Sequence, residues 1–222
     1  MQIDVKEAAR LLSVPEKIVL RWIREGALPA QKISSQYRLN RAELLEFATA
    51  QGIGVSPEIF SAGDEGEGPA PVAIAEALEA GGIHYEVPGR DKAGVLASVV
   101  KLLKLPAGTD ANLILGVLLA RESLGSTGIG EGIAIPHVRN PIVLHTPTPT
   151  IMLCFLSTAI EFDSPDGKPV HTLFTLVSPT IRTHLSMLSK LTFLLRKPEF
   201  SSVIARRAAP QEILQAARKA AQ

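Results

Sequence analysis

The sequence predicts an α/β protein with two folded parts: a C-terminal mixed β-sheet flanked by helices on both faces, and a small N-terminal helical domain. Three observations support this prediction. Over residues 72–222, short apolar runs typical of strands alternate with segments of 3.6-residue apolar periodicity typical of helices. Residues 1–53 combine helical spacing with two short strand-like segments. Between these parts, 54–71 is rich in glycine and acidic residues, which indicates a flexible linker.

The overall composition favours a cytoplasmic protein without a cofactor. The 222 residues are 46% hydrophobic, enough for a sizeable core, and the formal net charge of +1 gives no global field typical of a nucleic-acid binder. No run approaches the roughly 18 apolar residues of a membrane span, and no apolar signal core opens the chain. The single cysteine, Cys154, lies in an apolar run, so we interpret it as a small core residue. The histidines lack the close spacing of zinc sites, and we expect no metal.

Local signals in the first domain indicate three helices and a two-strand ribbon. We interpret Ser13 as an N-cap, with Pro15 in the first turn of the second helix. Gly26 suits a left-handed cap at the end of that helix, and Asn40 with Glu43 resembles a capping box that opens the third. The predicted elements are helices over 5–12 and 41–50, a helix between them that ends before Gly26, and strands over 30–33 and 36–39 with a turn at 34–35.

The second domain has clear capping and turn signals. Asp91 and Asp110 each precede a segment with helical apolar spacing, and we predict both as N-caps. Asp166–Gly167 is a strong turn signal between two long strands. The other predicted elements are a short helix over 72–78, strands over 82–87, 150–157 and 170–177, a strand end at 133–135, and helices over 183–195, 199–206 and 210–221.

The stretch 120–140, ARESLGSTGIGEGIAIPHVRN, contains the residues that indicate chemistry. Glycines at this density let the backbone approach a ligand and turn its N–H groups toward an anion. Pro136 should end strand pairing after 133–135, which would place His137 at a solvent-exposed rim beside amide donors and near arginine. A neutral imidazole is a nucleophile, and surrounding cations and amides suit a phosphoryl group.

The motif STGIGEGIAIPH, with an arginine sixteen positions before its histidine, resembles the enzyme IIA domain of the sugar phosphotransferase system, of fructose/mannitol and nitrogen-regulatory type. The resemblance covers roughly residues 75–220. It implies that His137 is phosphorylated by the phosphocarrier protein HPr or a relative, and that Arg121 lies against the phosphoryl group. It also implies a second active-site histidine, which His184 matches on a predicted helix.

Phosphoryl transfer to histidine depends on positioning and on charge compensation. Near a helix N-terminus, His184 could donate to a phosphoryl oxygen or hold His137 in one tautomer, while Arg121 neutralises part of the arriving charge. His171, in a strand beside the expected site, is a weaker candidate, because a half-buried strand histidine is the commoner case. The remaining phosphate-binding candidates supply backbone amides and a hydroxyl: Thr127, Gly128 and Gly130.

The N-terminal pattern of helix, tight turn and helix with an RWI core, followed by LPA and YRL, resembles the excisionase/MerR-like winged helix-turn-helix. The resemblance implies that the second helix enters the major groove of DNA and that the two-strand ribbon contacts the DNA backbone. Residues 1–55 hold only eight Lys and Arg against six Asp and Glu, so a module for protein contacts or dimerisation stays an alternative. The implied DNA-binding residues are Lys17, Arg21, Arg24, Lys32 and Arg38.

Together the two resemblances imply a regulatory IIA protein that couples phosphorylation of His137 to DNA binding. The absence of a membrane segment and the presence of the N-terminal module favour regulation over bulk sugar uptake. A homodimer is compatible with this function, because winged modules of this kind usually read DNA as dimers. Two alternatives stay open: a sugar-transport IIA component, and a protein-binding module that has lost phosphoryl transfer, for which Val138 is the argument because the family often has glycine there.

Overall fold

In a computed structural model of the chain, the described residues are 2–33, 36–51, 53, 56, 72–106, 108–138, 146 and 148–220. The chain divides into two compact units, Met1–Pro69 and Ala70–Gln222. The predicted turn at 34–35 and all of the predicted linker 54–71 except residue 56 lie outside the described residues.

The N-terminal unit contains three helices and a three-stranded antiparallel sheet of order β1-β3-β2. The sequence predicts two of these strands. The third, β1, is three residues long, too short for a recognisable pattern, and it forms because Ile3 pairs with Leu39 and both are buried. The elements are β1 Gln2–Asp4, α1 Val5–Leu11, α2 Glu16–Arg24, β2 Gln31–Ile33, β3 Gln36–Asn40 and α3 Arg41–Ala50.

The turn between α1 and α2 differs from its prediction. Ser13 is not the N-cap of α2: it has a φ of 55° and follows the C-cap of α1, while Pro15 occupies the N-cap position. The Val14 N–H donates to the Ala9 carbonyl across this left-handed residue, which closes the end of α1. Gly26, with a φ of 73°, ends α2 in the same manner, and that prediction is confirmed.

An ion pair between a buried arginine and a half-buried glutamate joins two helices of the N-terminal unit and has no sequence signal. Arg41, at the start of α3, is 5% exposed, and its guanidinium donates to Glu7 of α1 at 2.6 Å. Nearby, the rings of Trp22 and Phe47 lie 5.0 Å apart and tilted. The ion pair joins α3 to α1 and the ring contact joins α3 to α2, while the basic residues of α2 lie on the surface.

The C-terminal unit is a mixed sheet flanked by helices, as the sequence predicts. It has five strands in the order β4-β7-β8-β6-β5, of which the sequence does not predict β5. The β4–β7 and β6–β8 pairs are parallel, and the β7–β8 and β5–β6 pairs are antiparallel. Among the described residues, no helix has the length and apolar character needed to cross a membrane. The elements are α4 Ile74–Gly81, β4 Ile83–Val87, α5 Lys92–Leu102, α6 Ala111–Ser123, β5 Gly128–Gly130, β6 Ile133–Ala134, β7 Thr150–Ile160, β8 Val170–Val177, α7 Ile181–Leu195, α8 Pro198–Ala205 and α9 Pro210–Ala220.

The core of this unit lies on both faces of the sheet. On one face, Val95 and Val99 of α5 pack with Cys154 and Leu173, which are partners in the β7–β8 register. On the other, Phe174 of β8 packs against Phe200 of α8. Burial raises the pKa of the Cys154 thiol to about 12, so this cysteine is a neutral core side chain, as interpreted from the sequence.

The helix α4 approaches the backbone of β7 more closely than any residue with a side chain would permit. A Cβ on Gly81 would overlap the carbonyl oxygen of Ile151. We expect Gly81→Ala to lower the free energy of unfolding by at least about 2 kcal/mol, because the overlap is with backbone that cannot rotate away.

Gly116→Ala is the matched control, because no described atom lies within 4 Å of a Cβ at that position of α6. Alanine there should stabilise the chain by roughly 0.5–1 kcal/mol through helix propensity. Urea unfolding followed by circular dichroism measures both changes. Equal effects of the two substitutions would contradict the close approach of α4 to β7.

Candidate functional site

His137 lies just beyond β6, where the chain still runs beside β8. The Leu176 N–H donates to the Pro136 carbonyl at 3.2 Å, and His137 forms a parallel bridge with Leu176. The sequence predicts that strand pairing ends at Pro136, and this prediction is wrong. The pairing continues because the Pro136 carbonyl still accepts a hydrogen bond from β8. The extended backbone holds the imidazole on the face of the sheet opposite to Val138.

The hydrogen bonds of the His137 ring define its tautomer. Nδ1 lies 2.7 Å from the carbonyl oxygen of Ile135. Because a carbonyl oxygen can only accept, Nδ1 carries the proton and Nε2 has the lone pair. The Nε–H group of Arg121 donates to that Nε2 at 3.3 Å. The nucleophilic nitrogen of a neutral imidazole therefore faces a guanidinium.

Arg121 belongs to the last turn of α6 and is anchored at a second point. Its Nη1 donates to the carbonyl oxygen of Gly125 at 2.9 Å, in the connection between α6 and β5. The side chain is half-buried. One part of the guanidinium is therefore held by backbone while another part contacts His137.

His184 reaches the same place from the first turns of α7. Thr180 caps this helix by accepting the Thr183 N–H at 3.1 Å. The rings of His137 and His184 have centroids 5.0 Å apart and are inclined by 46°. The positive end of the α7 dipole thus lies at the two histidines, where it favours a bound anion. The structure brings together the three residues predicted as catalytic, His137, His184 and Arg121.

The exposure of His137 differs from its prediction. The sequence suggests a ring that meets solvent at a rim, but His137 is only 3% exposed and His184 only 1%. The reason is that the ring lies between β8 and the first turns of α7, with the Arg121 guanidinium against Nε2. Its close neighbours include polar groups, so the burial leaves hydrogen-bonding chemistry available.

The glycine-rich stretch is a β-hairpin, not the amide cradle that the sequence predicts. Gly128 and Gly130 belong to β5, and the turn at Glu131–Gly132 has positive φ at both residues. The Gly128 N–H donates to Ser126 Oγ and the Glu131 N–H to Asp166 Oδ2, so these amides are engaged within the chain. A Cβ on Gly128 would overlap Ser164 Oγ. These glycines permit close approach of the chain's own turn at 164–168, and Gly128 and Gly130 are not carried into the proposed site.

Thr127 also has a different role from the predicted one. Its Oγ1–H donates to Glu122 Oε2 at 2.6 Å, and its N–H lies 3.1 and 3.2 Å from the two carboxylate oxygens. Both residues are buried. Glu122 is the residue that sequence reasoning missed. The only available signal was its place beside Arg121, five positions before a threonine in the motif.

The basic residues of the N-terminal unit divide into two groups. Lys17, Arg21 and Arg24 are exposed on α2 at i, i+4 and i+7, which places them on one face. Arg21 also lies 3.9 Å from Glu25, an exposed pair worth little in stability. Lys32 is exposed in β2, but Arg38 is half-buried in the central strand of the sheet, opposite Gln31 and Asp4. Arg38 is therefore a weaker candidate for contact with the DNA backbone than its place in the predicted wing implied.

His171 packs against the hairpin turn. Its backbone N–H donates to the Gly132 carbonyl at 2.9 Å, and its Nδ1 lies 2.8 Å from Thr172 Oγ1. A Cβ on Gly132 would overlap this ring. Burial, and to a smaller extent the charge of Arg207, hold the pKa of His171 below its usual value of 6.5. Its described contacts are structural.

This lowered pKa makes stability depend on pH. At a pH below the ordinary histidine pKa of about 6.5, His171 binds a proton in the unfolded chain but not in the folded one. The free energy of unfolding therefore falls as the pH drops from about 6.5 through the lower pKa of folded His171. We expect His171→Gln to lose less unfolding free energy than the parent chain between about pH 7.5 and about pH 5. Urea titrations at both pH values measure this difference, and identical losses would contradict it.

Comparison with known proteins gives consistent matches for both units. Residues 76–219 match the family model described as phosphoenolpyruvate-dependent sugar phosphotransferase system, EIIA 2, and residues 3–52 match a helix-turn-helix domain model. The nitrogen regulatory protein of Pseudomonas aeruginosa is 36% identical over 132 residues, covering 58% of this chain and 83% of that protein.

Two further matches concern the same region. The fructose-specific EIIABC component of Bacillus subtilis is 34% identical over 129 residues, which is 57% of this chain but only 20% of that protein. The crystal structure of nitrogen regulatory protein IIA-Ntr from Neisseria meningitidis superposes with a TM-score of 0.57 at 29% identity, covering 65% of this chain and 98% of that chain.

Proposed function

The chain belongs to the EIIA 2 family of the phosphoenolpyruvate-dependent sugar phosphotransferase system, a family of phosphotransferases, and we propose that Nε2 of its His137 accepts a phosphoryl group from a phosphocarrier protein. One observation carries the proposal: the Ile135 carbonyl holds the ring as the Nδ1–H tautomer, so that Nε2 has its lone pair. Arg121 contacts that nitrogen, and the centroid of the His184 ring lies 5.0 Å from that of the His137 ring.

The transfer is an in-line displacement at phosphorus. Nε2 of His137 forms the new N–P bond, while the bond from phosphorus to the donor atom of the phosphocarrier breaks. The Nδ1 proton stays in place, so the phosphorylated ring carries a formal positive charge. The Ile135 carbonyl oxygen, 2.7 Å from Nδ1, stabilises this charge.

Arg121 changes its acceptor during the reaction. In the resting chain its Nε–H contacts the lone pair, so the guanidinium must move aside for phosphorus to approach. The incoming phosphoryl oxygens then replace the imidazole as acceptors, and the bond from Nη1 to Gly125 holds the side chain close by. His184 and the N-terminus of α7 supply further compensation for a charge of about −2.

The surface beside the site suits a protein donor. Leu113 and Leu124 of the α6 segment are 54% and 64% exposed, although both are large and apolar. Gly116 and Ala120 are exposed between them, so this face of the helix has no charge before it reaches Arg121. Exposed apolar area next to a reactive group is typical of a protein-binding site. This supports a phosphocarrier protein as the donor.

Incubation with labelled phosphoenolpyruvate, enzyme I and a phosphocarrier tests the proposal. We expect the full cascade to label the chain, and phosphoenolpyruvate alone to leave it unlabelled. The label should be labile to acid and stable to alkali. Phosphorus–nitrogen coupling measured by NMR should show that it is attached to Nε2. Failure of every phosphocarrier to label the chain would contradict phosphoryl transfer and favour a protein-binding module.

We also propose that the N-terminal unit binds DNA and that phosphorylation alters this binding. The helix-turn-helix match and the shared face of Lys17, Arg21 and Arg24 support it. In gel shifts with DNA from upstream of the chain's own gene, log K should fall linearly with log salt, and substituting these three residues by Gln should flatten the slope. Arg218→Gln, at an exposed ion pair on α9, is the control.

An unshifted probe at low salt would contradict DNA binding and favour a transport component or a module for protein contacts. The homodimer and the cytoplasmic location expected from the sequence stay predictions.

A further inference from the structure

We propose that Glu122 is a positioning residue for His137, acting through Thr127. Only its effect on transfer rate rests on the proposed function; its effect on the His137 ring does not. The carboxylate of Glu122 and the backbone and hydroxyl of Thr127 form a clamp between the end of α6 and the start of β5. This clamp, the Glu122–Thr127 clamp, joins two chains of contacts that both end at the reactive imidazole.

The clamp itself is buried and fully engaged. Glu122 is 7% and Thr127 5% exposed. The carboxylate accepts the Thr127 hydroxyl at 2.6 Å and the Thr127 N–H at 3.1 and 3.2 Å. Hydrogen bonds to an ionised acceptor are the stronger kind, and a buried site strengthens them further. Two residues five positions apart are thereby held in one fixed geometry.

A cation compensates the charge of the clamp. Lys92 Nζ lies 3.5 Å from Glu122 Oε1 and 2.6 Å from Asp163 Oδ2. The same ammonium lies 5.1 Å from the centre of the Phe162 ring. A buried carboxylate is costly unless it is paired and hydrogen-bonded, and Glu122 is both. The contacts of the fold itself therefore compensate the burial of this carboxylate.

The first chain of contacts reaches the protonated nitrogen of His137. The Thr127 carbonyl accepts the Ile135 N–H at 2.9 Å. The carbonyl oxygen of the same Ile135 accepts the Nδ1–H of His137 at 2.7 Å. Because Thr127 is held by Glu122, one side of Ile135 is held as well, and the carbonyl on its other side selects the tautomer of His137.

The second chain of contacts reaches the lone pair. Residues 122–127 form a closed loop when the clamp is in place, and Gly125 lies inside it. The Gly125 carbonyl accepts Nη1 of Arg121 at 2.9 Å, and Nε of Arg121 contacts Nε2 of His137 at 3.3 Å. The clamp therefore positions the Gly125 carbonyl that holds the Arg121 guanidinium, and it also fixes the tautomer of the His137 ring.

Three variants of the full chain test the proposal. Thr127→Val removes the hydroxyl donor while it keeps the shape of the side chain. Thr127→Ser keeps the hydroxyl donor. Glu122→Gln keeps a carbonyl acceptor but removes the charge. Glu79→Gln is the control, because Glu79 is exposed on α4 and, like Glu122, is paired with a basic residue, here Arg218. The two readouts are the ¹⁵N signals of the His137 ring and the single-turnover rate of labelling by the phosphocarrier.

In the parent chain and in Thr127→Ser, we expect one protonated and one unprotonated ring nitrogen with widely separated signals. In Thr127→Val and Glu122→Gln the two signals should move together as both tautomers become populated. Labelling should slow about ten-fold in these two variants, because a small misplacement of a reacting group is costly. Glu79→Gln should match the parent chain in both readouts.

Unchanged ring signals in folded Thr127→Val and Glu122→Gln would overturn the proposal, even if labelling slowed. If the ring signals change as expected but the parent chain accepts no label, the positioning role stands and the proposed function fails. If the parent chain is labelled and the variants behave like it in both readouts, the proposed function stands and the positioning role fails.

Discussion

Replacing His137 by alanine is expected to abolish labelling by the phosphocarrier cascade. The reaction needs a nitrogen lone pair at this position, and Nε2 of the His137 ring presents one to Arg121. We expect His184 not to substitute for it, because His184 belongs to α7 and its ring centroid lies 5.0 Å from that of His137. Labelling with radioactive phosphoenolpyruvate, followed by alkaline electrophoresis that preserves phosphohistidine, measures the effect.

His84→Gln is the control for this substitution. His84 lies in β4, at the edge of the sheet opposite to the β5–β6 hairpin, and should leave labelling unchanged. Persistence of the label in His137→Ala would overturn the assignment of the site. A matching loss of label in His84→Gln would show that the loss reflects general damage to the fold.

Substitution of Arg121 should have the next largest effect. Removing a cation aimed at developing phosphoryl charge typically costs about 10²–10³-fold in rate, so Arg121→Gln should slow labelling by about that factor. Arg121→Lys should recover part of the loss, since an ammonium supplies charge but cannot contact both Gly125 and His137 through a planar fork. Rapid-quench measurement of a single turnover gives both rates.

The binding of the phosphocarrier should change much less than the rate. Arg121→Gln leaves the exposed apolar side chains of α6 unchanged, so the dependence of rate on phosphocarrier concentration should stay close to that of the parent chain. A rate for Arg121→Gln within a few-fold of the parent value would contradict a direct role in charge compensation.

Much of the fold could be predicted because its local signals are strong. Asp91 and Asp110 cap their helices as expected, by accepting the N–H groups of Gly94 and Asn112. The apolar spacing that follows each of them indicates a buried helix face. The order of strands could not be predicted, because it depends on contacts between segments far apart in the chain. β1 and the pairing of His137 beyond Pro136 were missed for this reason.

The glycine-rich stretch shows why the details of the site were harder to predict. A dense set of glycines indicates that something approaches the backbone closely, but the sequence does not say whether it is a ligand or another part of the chain. At Gly128 and Gly130 it is the turn that contains Ser164 and Asp166. Glu122 was overlooked because buried carboxylates are recognised by their partners, and these are distant or backbone groups.

If His137 accepts a phosphoryl group as proposed, the anchoring of Arg121 at Gly125 limits the structural change that follows. In the proposed phosphorylated state, Nη1 of Arg121 keeps its bond to the Gly125 carbonyl, and the guanidinium exchanges Nε2 of His137 for phosphoryl oxygens. The proposal therefore predicts a local change of contacts at His137, with the surrounding helices and strands kept in place. A partner that distinguishes the two states would then recognise the added negative charge itself and not a moved helix or strand.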